Sequence, residues 1–152
     1  MDSKTKKQNC YNFCQGYIEE RMARINGHIS SIEESLRSET KSSAGDKHET
    51  GRAMLQLERE KAGQQLAEVE RMKQLLTKVH LSPVSEHIGL GSLVTTSNGN
   101  YFLAISAGEF KTKNQWAYCI SIHTPIGKLL LGKSQGESFL FNGSEITILS
   151  IE

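Results

Sequence analysis

The sequence predicts an α+β protein, in which an antiparallel α-helical coiled-coil hairpin is followed by a small antiparallel β domain with one short helix. Three observations predict this class. Apolar residues recur at helical spacing, in steps of three, four or seven positions, through two long segments of the first half. A polar stretch containing glycine separates those segments, and short β-rich runs follow Pro83. We therefore place the coiled-coil hairpin at residues 1–82 and the β domain at residues 83–152.

The first helix is predicted from about Thr5 to Ser38. Its apolar stripe advances by three or four residues at each step, and no proline interrupts it. The stripe consists of Tyr11, Cys14, Ile18, Met22, Ile25, Ile29, Ile32 and Leu36. A long helix with one narrow apolar stripe needs a partner that covers the stripe.

The second helix supplies a matching stripe, again without proline. Its members are Leu55, Ala62, Leu66, Val69, Met72, Leu76 and Val79. Residues 38–52 between the helices are small and polar, so we predict a tip loop there. Pro83 ends the second helix.

The last part of the sequence changes to a strand period. Five strands are predicted, at Ser92–Thr96, Tyr101–Ala107, Trp116–Ile122, Ser138–Phe141 and Glu145–Ile151. Asn-Gly pairs mark two of the hairpin turns between them. A short helix is predicted to begin after Thr124, with Pro125 at its first position, and to end at Gly132.

Composition narrows the possible functions. The 18 basic and 17 acidic residues nearly balance, which argues against a general affinity for nucleic acid or membranes. No apolar run is long enough to cross a bilayer. Three cysteines are an odd number, so we expect a reducing, cytoplasmic compartment and no disulfide framework. Cys10 and Cys14, one helical turn apart, could share a metal, but no second pair completes such a site, and burial of Cys14 in the helical seam is the preferred interpretation.

Motifs of free-standing catalysis are missing from the sequence. It has no glycine-rich phosphate loop, no nucleophile elbow and no zinc motif. We therefore expect a protein that is not an enzyme and has no cofactor of its own.

Two segments of the sequence resemble the motifs of a known family. Residues 45–53, Gly-Asp-Lys-His-Glu-Thr-Gly-Arg-Ala, are similar to the tip pattern of the Gre family of transcript-cleavage factors, Gly-Asp-x-x-Glu-Asn-x-Glu-Tyr. Residues 120–133 resemble the family's strand, Ser-Pro-Ile turn, short helix and Gly-Lys. The likeness implies that the β domain is FKBP-like. Thr50, Arg52 and Ala53 depart from the tip pattern.

The resemblance implies a function. A Gre-like coiled coil enters the secondary channel of RNA polymerase and stimulates cleavage of backtracked RNA near its 3′ end. Asp46 and Glu49 would then help to hold an Mg²⁺ ion shared with the polymerase active site. The docking surface would lie near Thr124, Pro125, Ile126, Gly127 and Lys133. We expect a monomer whose partners are the polymerase and, through it, the nascent RNA, with no membrane partner.

Three alternatives stay open from the residues. Asp46 and Glu49 also have the spacing of a capping box, in which each side chain bonds the other residue's backbone N–H. Because Arg52 replaces the family's second glutamate, the protein could instead occlude the channel without stimulating cleavage. The coiled coil could also bind an unrelated partner.

Overall fold

The structure is a computed structural model that describes residues 1–41, 46–81 and 85–152, with the side chains of residues 40–48 outside that description. In the described part of the chain, two long helices are followed by four strands, a short helix and two more strands. The predicted α+β class is therefore confirmed. Among the described helices, none has both the length and the apolar character needed to span a membrane.

Helices α1 (Ser3–Lys41) and α2 (Asp46–Thr77) form the helical pair. Both extend into residues 38–52, where the sequence predicts a loop. The helical residues beyond the predicted helix ends are mostly polar, so no apolar periodicity in the sequence predicts them. They contain no proline, and a helix that already exists gains one hydrogen bond for each residue it adds. One internal glycine, Gly51, costs only about 1 kcal/mol relative to alanine and does not stop the helix.

The two predicted apolar stripes are buried or half-buried in the structure. Their buried members are Cys14, Ile18, Ile25, Ile29, Ile32, Ala62, Val69, Leu76 and Val79. Ion pairs join the helices beside the stripes. Arg21 Nη2 lies 3.7 Å from Glu68 Oε2, and Arg59 Nε lies 3.3 Å from Glu33 Oε1. Such solvent-exposed pairs contribute at most about 1 kcal/mol each, so the apolar contacts supply most of the stability.

The described strands form one mixed sheet in the order β3-β4-β2-β1-β6-β5. The six strands are β1 (Leu93–Thr96), β2 (Gly99–Leu103), β3 (Gly108–Lys111), β4 (Trp116–Ile120), β5 (Ser138–Phe141) and β6 (Ser144–Ile151). The short helix α3 (Pro125–Leu130) connects β4 to β5.

Two features of the sheet differ from the predicted five-stranded antiparallel arrangement. Strand β3 is additional, and β2 pairs with β4 in parallel. Strand β3 is not predicted from the sequence, because it has four residues and Phe110 is its only large apolar side chain. Once β3 folds back on β4 in an antiparallel hairpin, β4 runs in the same direction as β2.

The contacts divide the chain into two compact units. One consists of Met1–Tyr17 and Gln74–Glu152, and the other of Ile18–Lys73. These boundaries differ from the position at which the composition of the sequence changes, Pro83. The first unit contains the start of α1 as well as the sheet.

The sheet has a different layer on each face. One face carries the apolar core, whose buried members are Ile88, Val94, Tyr101, Leu103, Leu130 and Ile148. Tyr118 of β4 packs against that core. Neighbouring residues on a strand point to opposite faces, so the buried side chains of Ala117 and Cys119 face the other way.

The first turns of α1 pack around β3 and β4. The ring of Phe13 stacks on the ring of Phe110 with centroids 5.2 Å apart. Gln115 Nε2 donates hydrogen bonds to the carbonyl oxygen of Lys6 at 2.8 Å and to Cys10 Sγ at 3.3 Å. Its Oε1 accepts a bond from Asn9 Nδ2 at 3.1 Å. One glutamine side chain thus holds three positions of the helix.

Candidate functional site

The two carboxylates predicted at the tip belong to the start of α2. Asp46 is the first residue of that helix, and its side chain lies outside the described residues. Glu49 is in the first turn, and its side chain is exposed. The bonds of a capping box involve the Asp46 side chain, so that alternative also lies outside the described residues. Glu49 is therefore the predicted tip carboxylate that the structure places on an exposed surface.

A third carboxylate lies at this end of the helical pair. A β-carbon built on Gly51 would be 3.8 Å from Oε2 of Glu39, so that side chain of α1 lies directly beside α2. Glu39 and Arg52 are both half-buried. Glu39 is not among the predicted site residues, because the sequence predicts a loop at residues 38–52. Extending the apolar stripe by one step of three residues beyond Leu36 would have found it.

The predicted docking segment begins with a well-formed helix cap. Thr124 has an extended backbone, and its Oγ1 accepts a hydrogen bond from the backbone N–H of Gly127 at 3.1 Å. The same hydroxyl donates to the carbonyl oxygen of Ser121 at 2.7 Å. Pro125 occupies the first turn of α3, where a missing N–H costs nothing. The predicted start of this helix is confirmed.

Gly127 has a structural reason to be glycine. A β-carbon at this position would overlap the carbonyl oxygen of Ser121 and would lie 2.7 Å from Thr124 Oγ1. Because only a hydrogen fits there, α3 can approach the end of β4 closely. Gly127 therefore acts through backbone packing, whatever the surface around it binds.

The other predicted docking residues differ in what they expose. Pro125 is exposed, whereas Ile126 is half-buried and packs against the apolar core. Lys133 is half-buried, and its Nζ lies 5.7 Å from the centre of the Phe139 ring. That distance fits a cation–π contact. Pro125 and the outer part of Lys133 are thus the parts of this set that a partner could touch.

The cysteines form a buried group in the unit that contains the sheet. Cys10 and Cys14 have no exposed surface, and Cys119 is 1% exposed. Hydrogen bonds with the Cys10 and Cys14 thiols, together with burial, raise the pKa of the Cys119 thiol. A thiol of raised pKa stays protonated and is a poor metal ligand and nucleophile. Within the described residues, no group of three His, Cys, Asp or Glu side chains is placed to hold a metal ion.

One basic side chain near the start of α1 is buried. Lys7 is 4% exposed, and its burial lowers the pKa of the ammonium group, while the nearby Glu152 carboxylate raises it by a smaller amount. Glu152 has closer partners, since Oε1 accepts a hydrogen bond from Ser3 Oγ at 2.6 Å and lies 3.7 Å from Lys6 Nζ. Lys7 therefore carries a charge in a site that disfavours it.

The structure assigns the two predicted sets of residues to different compact units. Asp46 and Glu49 belong to the unit of Ile18–Lys73, and the segment from Thr124 to Lys133 belongs to the unit with the sheet. No protein-family model matches the sequence, and a search of curated proteins found no match.

Proposed function

We propose that this protein is an RNA polymerase-binding transcription elongation factor, whose helical hairpin enters the secondary channel and stimulates cleavage of backtracked RNA. The observation that carries the proposal is the exposed carboxylate of Glu49 in the first turn of α2, three residues after Asp46. The Gre-like segments at residues 45–53 and 120–133 suggest the partner.

The helices suit delivery of a chemical group into a narrow channel. Helix α2 has 32 residues, which corresponds to roughly 48 Å at about 1.5 Å per residue. Its apolar stripe is covered by α1, so the outer surface of the pair is largely polar. A pair of packed helices with a polar outer surface can carry the residues at its end into a channel without unfolding.

The start of α2 is a favourable place for carboxylates. The N-terminal end of a helix carries a partial positive charge, which attracts the acidic side chains of the first turn. Glu49 would thus present an anionic oxygen toward the polymerase site, and Asp46 would add a second. Mg²⁺ usually keeps several water ligands, so one or two visiting carboxylates suffice beside an acidic site that already exists. Once held there, the ion would stabilise the attacking and leaving oxygens of RNA hydrolysis.

The segment from Thr124 to Lys133 is proposed as part of the docking surface. Its cap fixes the backbone of the turn, and Pro125 is exposed on it. A rigid turn loses little conformational freedom when it binds, which favours affinity. Binding and chemistry would then be divided between the two units of the chain.

Stalled, backtracked elongation complexes with end-labelled RNA test the proposal. The wild type is expected to accelerate release of short 3′ fragments. Glu49→Gln keeps the shape of the side chain and removes the charge, so it should abolish the acceleration without weakening polymerase binding. Asp46→Asn should act in the same way. Glu58→Gln, at an exposed position further along α2, is the matched control and should behave as the wild type.

A second candidate function is a regulator that occludes the channel. It is favoured by Arg52, which stands where the Gre tip pattern has its second glutamate. Such a protein would bind core polymerase and slow both elongation and cleavage. Arg52→Glu restores the family's pattern and should convert it toward stimulation. Failure of the wild type to bind purified core polymerase at all would reject both candidates in favour of an unrelated partner.

A further inference from the structure

The helical pair carries a polar groove that the proposed function does not use. It is open to solvent, has a volume of about 300 Å³, and lies between α1 and α2. Arg21, Arg24, Ile25 and His28 line it from α1, and Gln65 lines it from α2. All five belong to the unit of Ile18–Lys73.

The basic side chains of this groove are poorly matched by acidic ones. Within the described residues, Arg21 has one ion pair, a long contact of 3.7 Å with Glu68, and its Nη1 lies 3.5 Å from Met72 Sδ. The side chains of Arg24 and His28 take part in no hydrogen bond or ion pair with the described part of the chain. Two guanidinium groups and an imidazole therefore line the groove, and none of its described lining residues is acidic.

Such an arrangement has a cost unless something binds there. Residues three and four apart on a helix are neighbours, and like charges at this spacing destabilise the helix by a few tenths of a kcal/mol. An anion in the groove would be attracted by each of the basic groups, and those attractions would offset the repulsion between them. Arginine suits phosphate in particular, because its planar fork can donate two parallel hydrogen bonds to one phosphate group.

The spacing indicates the size of the anion. Arg21 and His28 are seven residues apart, or roughly 10 Å along the helix axis. Two or three linked phosphates can contact both ends of that row more readily than one phosphate group. His28 can donate a ring N–H in either protonation state, and the Gln65 amide adds two donors from the other helix. We propose that the groove formed by Arg21, Arg24, His28 and Gln65 binds a small anion with linked phosphates, such as pyrophosphate or the phosphate chain of a nucleotide.

Isothermal titration calorimetry with inorganic pyrophosphate, on the full-length protein at low ionic strength, tests this inference. Saturable binding at a single site is expected. Arg24→Gln and Arg21→Gln should each weaken it by about tenfold, because each removes a charge-assisted hydrogen bond. Arg37→Gln is the matched control, since Arg37 is exposed on α1 and does not line the groove. Equal losses in Arg24→Gln and Arg37→Gln, or binding that never saturates, would overturn the proposal.

One substitution should raise the affinity for pyrophosphate instead of lowering it. Glu68→Gln removes the carboxylate that competes for Arg21, so pyrophosphate should bind about threefold more tightly. General damage to the fold would weaken binding instead, and a loss of affinity in this variant would contradict the assignment of Arg21. Nucleoside triphosphate and inorganic tripolyphosphate, titrated in parallel, separate the two sources. Tighter binding of the nucleotide indicates that its base or sugar also contacts the protein, and equal binding indicates that the phosphate chain alone is recognised.

Discussion

The hydroxyl of Thr124 accepts a hydrogen bond from the backbone N–H of Gly127 at 3.1 Å and so begins α3. Since the same hydroxyl donates to Ser121, one side chain joins the end of β4 to the start of the helix. This residue pair anchors the segment that we propose as a docking surface.

Thr124→Ala should lower the free energy of unfolding by about 1 kcal/mol, because it removes the cap of α3. Thr124→Ser keeps the oxygen and should retain most of the stability. Urea denaturation followed by circular dichroism measures both variants. If the alanine and serine variants are equally unstable, the methyl group of Thr124 matters more than its hydrogen bonds.

Gly127→Ala should be more damaging, with a loss of about 3 kcal/mol, because the new methyl group would overlap the carbonyl oxygen of Ser121. Gly27→Ala provides a control of opposite sign. Gly27 lies inside α1, and a β-carbon there would meet no atom within 4 Å. That variant should gain about 0.5–1 kcal/mol from helix propensity. Thermal denaturation of the two alanine variants should therefore shift the midpoint in opposite directions.

The stacked rings of Phe13 and Phe110 should be energetically coupled. A double-mutant cycle with Phe13→Ala and Phe110→Ala is expected to give a coupling free energy of about 0.5–1.5 kcal/mol, the usual value for an aromatic pair. Tyr17, half-buried on the same helix, replaces Phe13 in a control cycle with Phe110. Additive losses for Phe13 and Phe110 would show that their contact contributes nothing beyond burial.

Lys7→Met should stabilise the protein at neutral pH. Burial lowers the pKa of Lys7, so the folded state disfavours the charged form that predominates in the unfolded chain. This destabilisation is present below the folded-state pKa, and it disappears as the pH rises toward the unfolded value of about 10.4. The advantage of Lys7→Met in urea denaturation should accordingly shrink as the pH is raised from 7 to about 10.

Lys4→Met is the control for this prediction, because Lys4 is exposed on the same helix. It should leave stability nearly unchanged at every pH. A Lys7→Met variant that is less stable than the wild type throughout this range would mean that the attraction between Lys7 and Glu152 outweighs the cost of burial.

Features with a local cause were predictable from the sequence. The spacing of Ile18, Ile25 and Ile29 follows from helix geometry, and those residues are buried. The start of α3 was equally local, because Thr124 and Pro125 act on the backbone next to them.

Features with a distant cause were not predictable. Strand β3 exists because β4 pairs with it, and its four residues show no alternating pattern. Glu39 lies beside Gly51 only because α1 extends to Lys41 and α2 begins at Asp46, in the region where the sequence predicts a loop. The groove was missed because Gln65 meets Arg21 and His28 across two helices, and no short motif joins them.

The contacts of Gln115 also determine an order of events during synthesis of the chain. The residues that it bonds, Lys6 and Cys10, precede it by 109 and 105 positions. Translation adds about 5–20 residues per second, so Gln115 is synthesised roughly 5–20 s after the beginning of α1. During that interval the thiol of Cys10 lacks the cover it has in the folded protein. Residues at the start of α1 are therefore translated long before Gln115 and reach their final surroundings only after it is made.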